Sequence, residues 1–241
     1  MALFVLVRGA AYSGKDTVSD ILAEDHGFSR GAFAKKLKLI YGELFGVDGA
    51  RMISDPSYKT QQRRGLIWFG KMARTHDEDV WVNQVERFVT AAGIEKIAVS
   101  DFRLSNEYCA LKSKGHRCLS LRVLASDEVR KSRMGSAAWE EYQKTTRFDP
   151  SERALDKWVD DIEVENNGTS EDLKSRVQKL VPALLETTPR EHGPEEVGQL
   201  DGVLDPSYEL LEEQVKNLKS LVSGLGVTRR VLLAHNLGDL F

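Results

Sequence analysis

Lys15 and Asp16 stand near the end of the nine-residue run GAAYSGKDT, in which Gly9 and Gly14 are five positions apart, behind the apolar stretch LFVLV. A turn of the form G-x-x-x-x-G-K between a strand and a helix turns backbone N–H groups inward around an anion, and its lysine reaches the terminal phosphates of a polyphosphate. Gly9, Ser13, Gly14, Lys15, Asp16 and Thr17 are therefore the candidate phosphate-binding residues. The position after the lysine usually carries the Ser or Thr hydroxyl that ligates Mg²⁺. Here it is Asp16, whose carboxylate could take the ion directly or through water.

A second constellation is IAVSD, an apolar run ending in Ser100 and Asp101, with Arg103 two residues on. If this strand neighbours the first, Asp101 stands beside the phosphate loop at the edge where open α/β sheets bind ligands. It could then order Mg²⁺ or an acceptor group. Acids also end strands for solubility, and that alternative stays open.

A third is a set of cations, Lys38, Lys59, Arg63, Arg64 and Arg74, spread over helical segments. Transfer to a phosphorylated acceptor needs a second anion site facing the first, and guanidinium groups supply forked contacts to phosphate oxygens. Ordinary solvent-facing helix charges would look the same. Arg130, Arg133 and Arg147 lie in the polar stretch 126–150, which reads as a flap that could close over a transferring phosphoryl group or as a solvated excursion. Tyr58, Trp68, Phe69 and Trp81 offer flat faces for a base, although helical spacing assigns at least two of them to the core. The five histidines have no metal-ligand spacing, and no Ser/His/Asp arrangement emerges.

The elements that must position these groups follow from periodicity. Residues 3–7 form a buried strand, 16–24 a helix closed by Gly27, and 35–45 a helix that stops at Gly46. Two helices fit within 57–89, strands within 96–101, 117–123 and 161–166, and helices at 105–113 and 170–185. Strands alternating with helices indicate parallel crossovers. The proline-bearing run TTPREHGPEE reads as a linker over 186–205, and 206–241 as a helical tail with Leu210, Leu211, Val215, Leu218 and Leu221 at helical spacing.

With 241 residues, 41% of them hydrophobic, the chain can bury one substantial core. Its formal net charge of −3 is uneven: the segment from Glu186 onward carries ten acidic and five basic residues, which leaves the preceding part slightly basic. That balance argues against a nucleic-acid coat and allows a local anion pocket. Cys109 and Cys118 read as core residues of a reducing compartment. The apolar opening is too short to cross a membrane, so a soluble cytoplasmic protein is expected.

In order, GAAYSGKDT, FAKKLK, YKTQQRRGLIWFGKMARTHDEDVW, VSDFRLSNE and IEVENNGT resemble the phage-type deoxynucleoside monophosphate kinases, of the same P-loop superfamily as animal phosphomevalonate kinases. The likeness spans about residues 3–185, and both families share the SGKD form of the loop. The resemblance implies an α/β, three-layer P-loop kinase fold with a parallel central sheet, a helical acceptor-binding insertion and a lid at about 126–150, with the helical extension beyond. It implies transfer of the ATP γ-phosphoryl group, with Mg²⁺, to a deoxynucleoside monophosphate in the cytoplasm, of the host if phage-encoded. Lys15 would hold the donor phosphates, with Asp16 and Thr17 near the metal. Lys38, Lys59, Arg63 and Arg74 would line the acceptor side, with Trp68 near it, and Asp101 and Arg103 would lie between the sites. Arg130 and Arg133 would belong to the lid, and Asn167 and Gly168 would lie near the adenine. The spacing SYK-x3-R followed by a tryptophan and glycine also resembles the phosphomevalonate enzymes, whereas GKDTVSDIL and R-x4-EDVWV resemble the nucleotide kinases. A nucleotide-dependent interaction module without a second substrate is the reading from another class. Its motive is the amphipathic tail, which could pack on a second copy of the chain or fold back on its own core.

Overall fold

A computed structural model describes residues 1–144, 153–193 and 196. Strand β1 (Leu3–Arg8) is buried at its first five positions, as a central strand covered on both faces must be. It leads through the glycine loop into α1 (Lys15–His26), then β2 (Ser29–Gly31), α2 (Phe33–Phe45), the single turn α3 (Arg51–Ser54), α4 (Pro56–His76) and α5 (Val80–Ala91). Strand β3 (Lys96–Val99), α6 (Ser105–Ser113), β4 (Arg117–Leu124), α7 (Asp127–Met134), α8 (Ser136–Lys144), β5 (Ile162–Glu165) and α9 (Ser170–Glu186) follow.

The five strands run parallel in the order β2-β3-β1-β4-β5. Strand β1 is thus flanked by β3, which carries Asp101 beyond its end, and by β4, which leads into α7. On one face Leu3, Val5 and Val7 pack with Val18, Ile21 and Leu22 of α1 and with Leu173, Val177 and Leu184 of α9. Each such side chain contributes about 1.5–3 kcal/mol when fully buried. The loop between β1 and α1 is consequently held at both ends by the core. Among the described residues no helix is long and apolar enough to cross a membrane.

Three regions depart from the expectations. The stretch at Phe28–Phe33 contains an edge strand, β2. Its residues Ser29, Arg30 and Gly31 show no apolar alternation, and it is specified by pairing with Ile97, Ala98 and Val99 instead. The expected flap is helical over α7 and α8, because Ser126 caps α7 through Val129 N and Tyr142 is buried. Residues 145–150, with Arg147, lie outside the described residues. The expected linker is tied to the core at its start. Arg117 donates to the carbonyls of Leu185 (2.7 Å), Leu184 (3.2 Å) and Thr187 (2.5 Å), and Arg190 N donates to Asp161 (2.9 Å). His192 then stacks on Trp158 with centroids 3.7 Å apart. Contacts to the core thus continue among the described residues past Glu186 as far as His192. The tail 206–241 and its expected dimer contact lie outside the described residues.

Candidate active site

The phosphate loop begins where β1 is clamped. The Arg8 guanidinium meets Asp160 in a forked pair (2.8 and 2.6 Å) and donates to the Trp158 carbonyl, with both side chains largely buried. Next comes Gly9 at φ 152, where a Cβ would stand 2.6 Å from the Val123 carbonyl oxygen. Gly14 has φ 99, and a Cβ there would collide with the Asn166 amide. These two positions need glycine for space and for conformation. Tyr12 takes a positive φ of 62 without being glycine, a conformation that costs about 1–2 kcal/mol.

That conformation is held from outside. Arg130 Nε donates to the Ala11 carbonyl (2.9 Å), Arg133 donates to those of Tyr12 (3.3 Å) and Ser13 (3.4 Å), and Asn166 Nδ2 donates to Ser13 (2.7 Å). The N–H and C=O of a trans peptide point in opposite directions, so fastening three carbonyls on the outer side turns neighbouring N–H groups toward the concave side. The Lys15 ammonium and the positive end of α1 lie on the same loop.

Asp16, in the first turn of α1, pairs with Arg30 at 3.1 Å, and Arg30 also binds Asp20. Burial opposes ionisation of Asp16, but Lys15, Arg30 and Ser100 together hold its pKa below the ordinary value. A carboxylate kept charged at the phosphate loop fits a divalent cation that is otherwise ligated by phosphates and water. Asp101 is committed differently. Its Oδ1 accepts from Phe33 N and its Oδ2 from Ala34 N, both at 2.8 Å, so it caps α2, whose N-cap residue Ala32 has no side-chain acceptor. Asp101 thus also serves as a helix cap, and the remaining lone pair on each of its oxygens is left for a metal ion or a metal-bound water.

Capping α2 in this way fixes Lys38, a little over one turn further along. Burial lowers the Lys38 pKa, Asp101 and Asp16 oppose that shift, and Arg103 adds to it. On α4 the spacing 59, 63, 70, 74 keeps Lys59, Arg63, Gly70 and Arg74 within about 60° of one another around the axis. Lys59 is driven down to about 8, first by desolvation and then by Lys38, Arg103, Arg63 and Lys15. The residue as a whole is exposed, so the crowding by like charges is the part of this shift that matters to a ligand. Burial also lowers the Arg74 pKa, with Glu107 and Asp101 opposing and Arg103 adding to the shift. Lys15, Lys38, Lys59, Arg63, Arg74 and Arg103 are thus electrostatic neighbours in one cluster that also includes Asp16 and Asp101.

Two expected placements are corrected, that of Trp68 and that of the arginines Arg130 and Arg133, while the core role expected of at least two aromatics falls to Phe69 and Trp81. Trp68 lies about 180° around α4 from Lys59 and rests edge-on against Phe45, with centroids 6.1 Å apart, so it does not flank the cation cluster. Phe69 and Trp81 are core, 5.8 Å apart, and Trp81 Nε1 donates to Gly70 O. Arg130 and Arg133 do not extend over the cleft in this conformation; they brace the loop from its carbonyl side. Arg130 is only 7% exposed, lies 5.3 and 5.2 Å from the ring centroids of Trp139 and Tyr142 and pairs with Asp127 at 2.7 Å. Asn167 accepts from Ser126 N at 2.8 Å, linking the β5–α9 turn to the lid, and Gly168 is exposed beside it.

Two residues with direct bearing on the site were not foreseen. Asn166 is buried at the end of β5 and also accepts from Arg133 at 3.1 Å. The signal was an asparagine, a poor strand former, ending the apolar alternation of IEVEN. Glu107 is buried and accepts from Arg103 N (2.8 Å) and Leu104 N (3.1 Å). Its signal was an acid at the third position of a helix that lacks a polar N-cap.

The profile of the phosphomevalonate kinase family matches residues 7–116, the segment that holds the phosphate loop, α2, α4, Asp101 and Arg103. The matched segment is a little under half of the chain and contains the strand, loop and helix in which the phosphate-binding pattern G-x-x-x-x-G-K stands. Among solved structures, shikimate kinase from Acinetobacter baumannii in complex with shikimate aligns over 78% of this chain and 96% of its own, at 15% identity and a TM-score of 0.42. A Thermus thermophilus protein aligns over 77% and 99%, at 21% identity and a TM-score of 0.46. A Janibacter sugar kinase aligns over 76% and 98%, at 19% identity and a TM-score of 0.38. No curated protein matches the chain.

Proposed function

We propose that the protein transfers the γ-phosphoryl group of ATP to the phosphate of a deoxynucleoside monophosphate. The observation that carries this reading is the crowding of Lys59 by Lys38, Arg103, Arg63 and Lys15, an arrangement stabilised when an anion enters between them. A donor held by Lys15 and the loop amides would face an acceptor phosphate held by Lys38, Lys59, Arg63, Arg74 and Arg103. The acceptor oxygen is already anionic, so the reaction needs no strong base. In-line placement and charge neutralisation supply the rate. Asp16 would hold Mg²⁺, directly or through water, and the ion would neutralise phosphate charge when bound. Asn166, Arg130 and Arg133 keep the loop in shape while the donor is bound.

The nucleotide acceptor is favoured by the GKDTVSDIL and EDVWV segments, and a second reading, phosphomevalonate as acceptor, by the family profile over residues 7–116. Both use the same anion pockets. Incubation with ATP, Mg²⁺ and each of the four common deoxynucleoside monophosphates, 5-modified pyrimidine nucleotides and phosphomevalonate separates them. A new diphosphate from a nucleotide supports the first reading, and diphosphomevalonate alone supports the second. Retained ATP binding with no phosphorylated acceptor would support a nucleotide-dependent interaction module.

A further inference from the structure

The segment Asp101–Leu104 joins β3 to α6 and is held at each of its four residues. Asp101 is fastened to the first amides of α2, and Phe102 N donates to the Val7 carbonyl at 3.3 Å, joining the turn to the end of β1. Arg103 N and Leu104 N both donate to one oxygen of Glu107, at 2.8 and 3.1 Å. A glutamate at the third helical position that reaches back to the N-cap amide is a familiar capping device, and such a residue is ordinarily solvent-exposed. Glu107 is only 5% exposed, nearly as buried as the apolar side chains of Phe102, Leu104 and Tyr108 beside it in sequence. Its electrostatic neighbours are Asp101 on the turn and Arg74 on α4.

A buried carboxyl is a costly way to end a helix unless it fixes something else. Arg103 is the residue whose own amide Glu107 holds, and Arg103 is felt by Lys38 from α2 and by Lys59 and Arg74 from α4. It is therefore the point at which the cations of the two acceptor-side helices meet the turn from β3. We infer that Glu107 is the positioning residue of the acceptor site: by binding the amides of Arg103 and Leu104 it sets the direction from which the Arg103 guanidinium enters the anion pocket. This rests on the acceptor-side reading of the cation cluster. It adds a residue that touches no substrate and acts through Arg103.

The geometry sets the order of the variants. Glu107→Gln keeps a carbonyl oxygen where Oε2 stands and can accept from both amides. Glu107→Asp withdraws that oxygen by one methylene, and Glu107→Ala removes it.

The test uses the full chain saturated with a non-hydrolysable ATP analogue and Mg²⁺, titrated calorimetrically with inorganic phosphate as the acceptor-site probe. Glu107→Ala and Glu107→Asp are expected to weaken phosphate binding about tenfold or more, the scale of one misdirected charge-assisted contact. Affinity for the ATP analogue stays unchanged, and Glu107→Gln restores phosphate binding to within about threefold. On an Arg103→Gln background, Glu107→Asp is expected to cause no further loss. Should Glu107→Ala fail to fold, the Asp and Gln variants carry the comparison. Unchanged phosphate affinity in Glu107→Asp, a loss that persists without Arg103, or an equal loss of ATP-analogue affinity overturns the inference. A wild-type protein that binds phosphate in this Glu107-dependent manner but phosphorylates no monophosphate overturns the proposed function alone. Wild-type protein that binds no phosphate beside the analogue overturns both.

Discussion

The Asn166 amide at the end of β5 donates to the Ser13 carbonyl at 2.7 Å, so the last strand of the sheet holds the phosphate loop, which the first strand builds. Its carbonyl oxygen simultaneously accepts from Arg133, which reaches the same loop from α7. Strand, helix and loop therefore form one hydrogen-bonded unit.

Replacing Asn166 by Ala leaves buried loop groups short of partners and removes an anchor from Arg133. The expected outcome is a stability loss of about 1–3 kcal/mol and weaker ATP binding. Denaturant melts read the first, and nucleotide titration the second. Unaltered ATP affinity would show that the loop keeps its shape without this contact.

Protonated Lys59 is the form that attracts an acceptor phosphate. In the free protein its pKa is about 8, so most of the charge is present below that pH and is lost above it. A bound dianion favours the charged form and raises the pKa, which couples binding to proton uptake. Acceptor KM is expected to be flat between about pH 7 and 8, where the acceptor phosphate is already a dianion, and to rise above that, approaching tenfold per unit. In Lys59→Arg the break should disappear, because guanidinium does not titrate in that range. Steady-state kinetics across pH 6–10 checks this.

Burial raises Glu107 to about 8 from an ordinary 4.5, against the pull of its backbone donors and Arg74. Below pH 4.5 the carboxyl is neutral in folded and unfolded chains alike, and the full stability is present. Between that pH and about 8 the unfolded chain has released a proton that the folded chain keeps, so rising pH favours unfolding by up to about 1.4 kcal/mol per unit. Glu107→Gln should flatten this slope. Chemical denaturation of both proteins at several pH values measures it.

Much of the site was legible before any coordinates because backbone requirements leave marks in sequence. Gly9, Gly14 and Lys15 are specified by conformation and reach, and Asp101 by its place at the end of an apolar strand. What was hidden depends on partners far along the chain. The Arg8–Asp160 pair spans 152 positions, and nothing local to either residue announces it. Trp68 was misplaced because an aromatic near cations looks the same on either side of a helix until the packing partner, Phe45, is known. Arg130 and Arg133 looked like mobile lid charges because α7 has little apolar character, and their roles come from the loop carbonyls they meet. β2 escaped notice because its partner strand, rather than its own side chains, defines it.

The segment after α9 is bound to the core through Arg117, Asp161 and the His192–Trp158 stack, and Trp158 packs in turn on Phe102 with centroids 5.5 Å apart. Ending the chain after Glu186 is therefore expected to lower Tm by several degrees, equivalent to about 1–3 kcal/mol, and to shift tryptophan emission to the red as Trp158 becomes hydrated. An unchanged melt would mean that these contacts add nothing to stability.

The central claim is that two anion pockets in one cleft carry a phosphoryl group from ATP to a phosphate acceptor. Its most direct test follows radiolabel from γ-labelled ATP into the deoxynucleoside monophosphates and phosphomevalonate, with wild-type protein and Lys15→Ala compared. The account predicts a labelled diphosphate product from the wild type and a loss of about a thousandfold or more in the folded variant. Label that enters no acceptor, or that enters one equally well without Lys15, would contradict it.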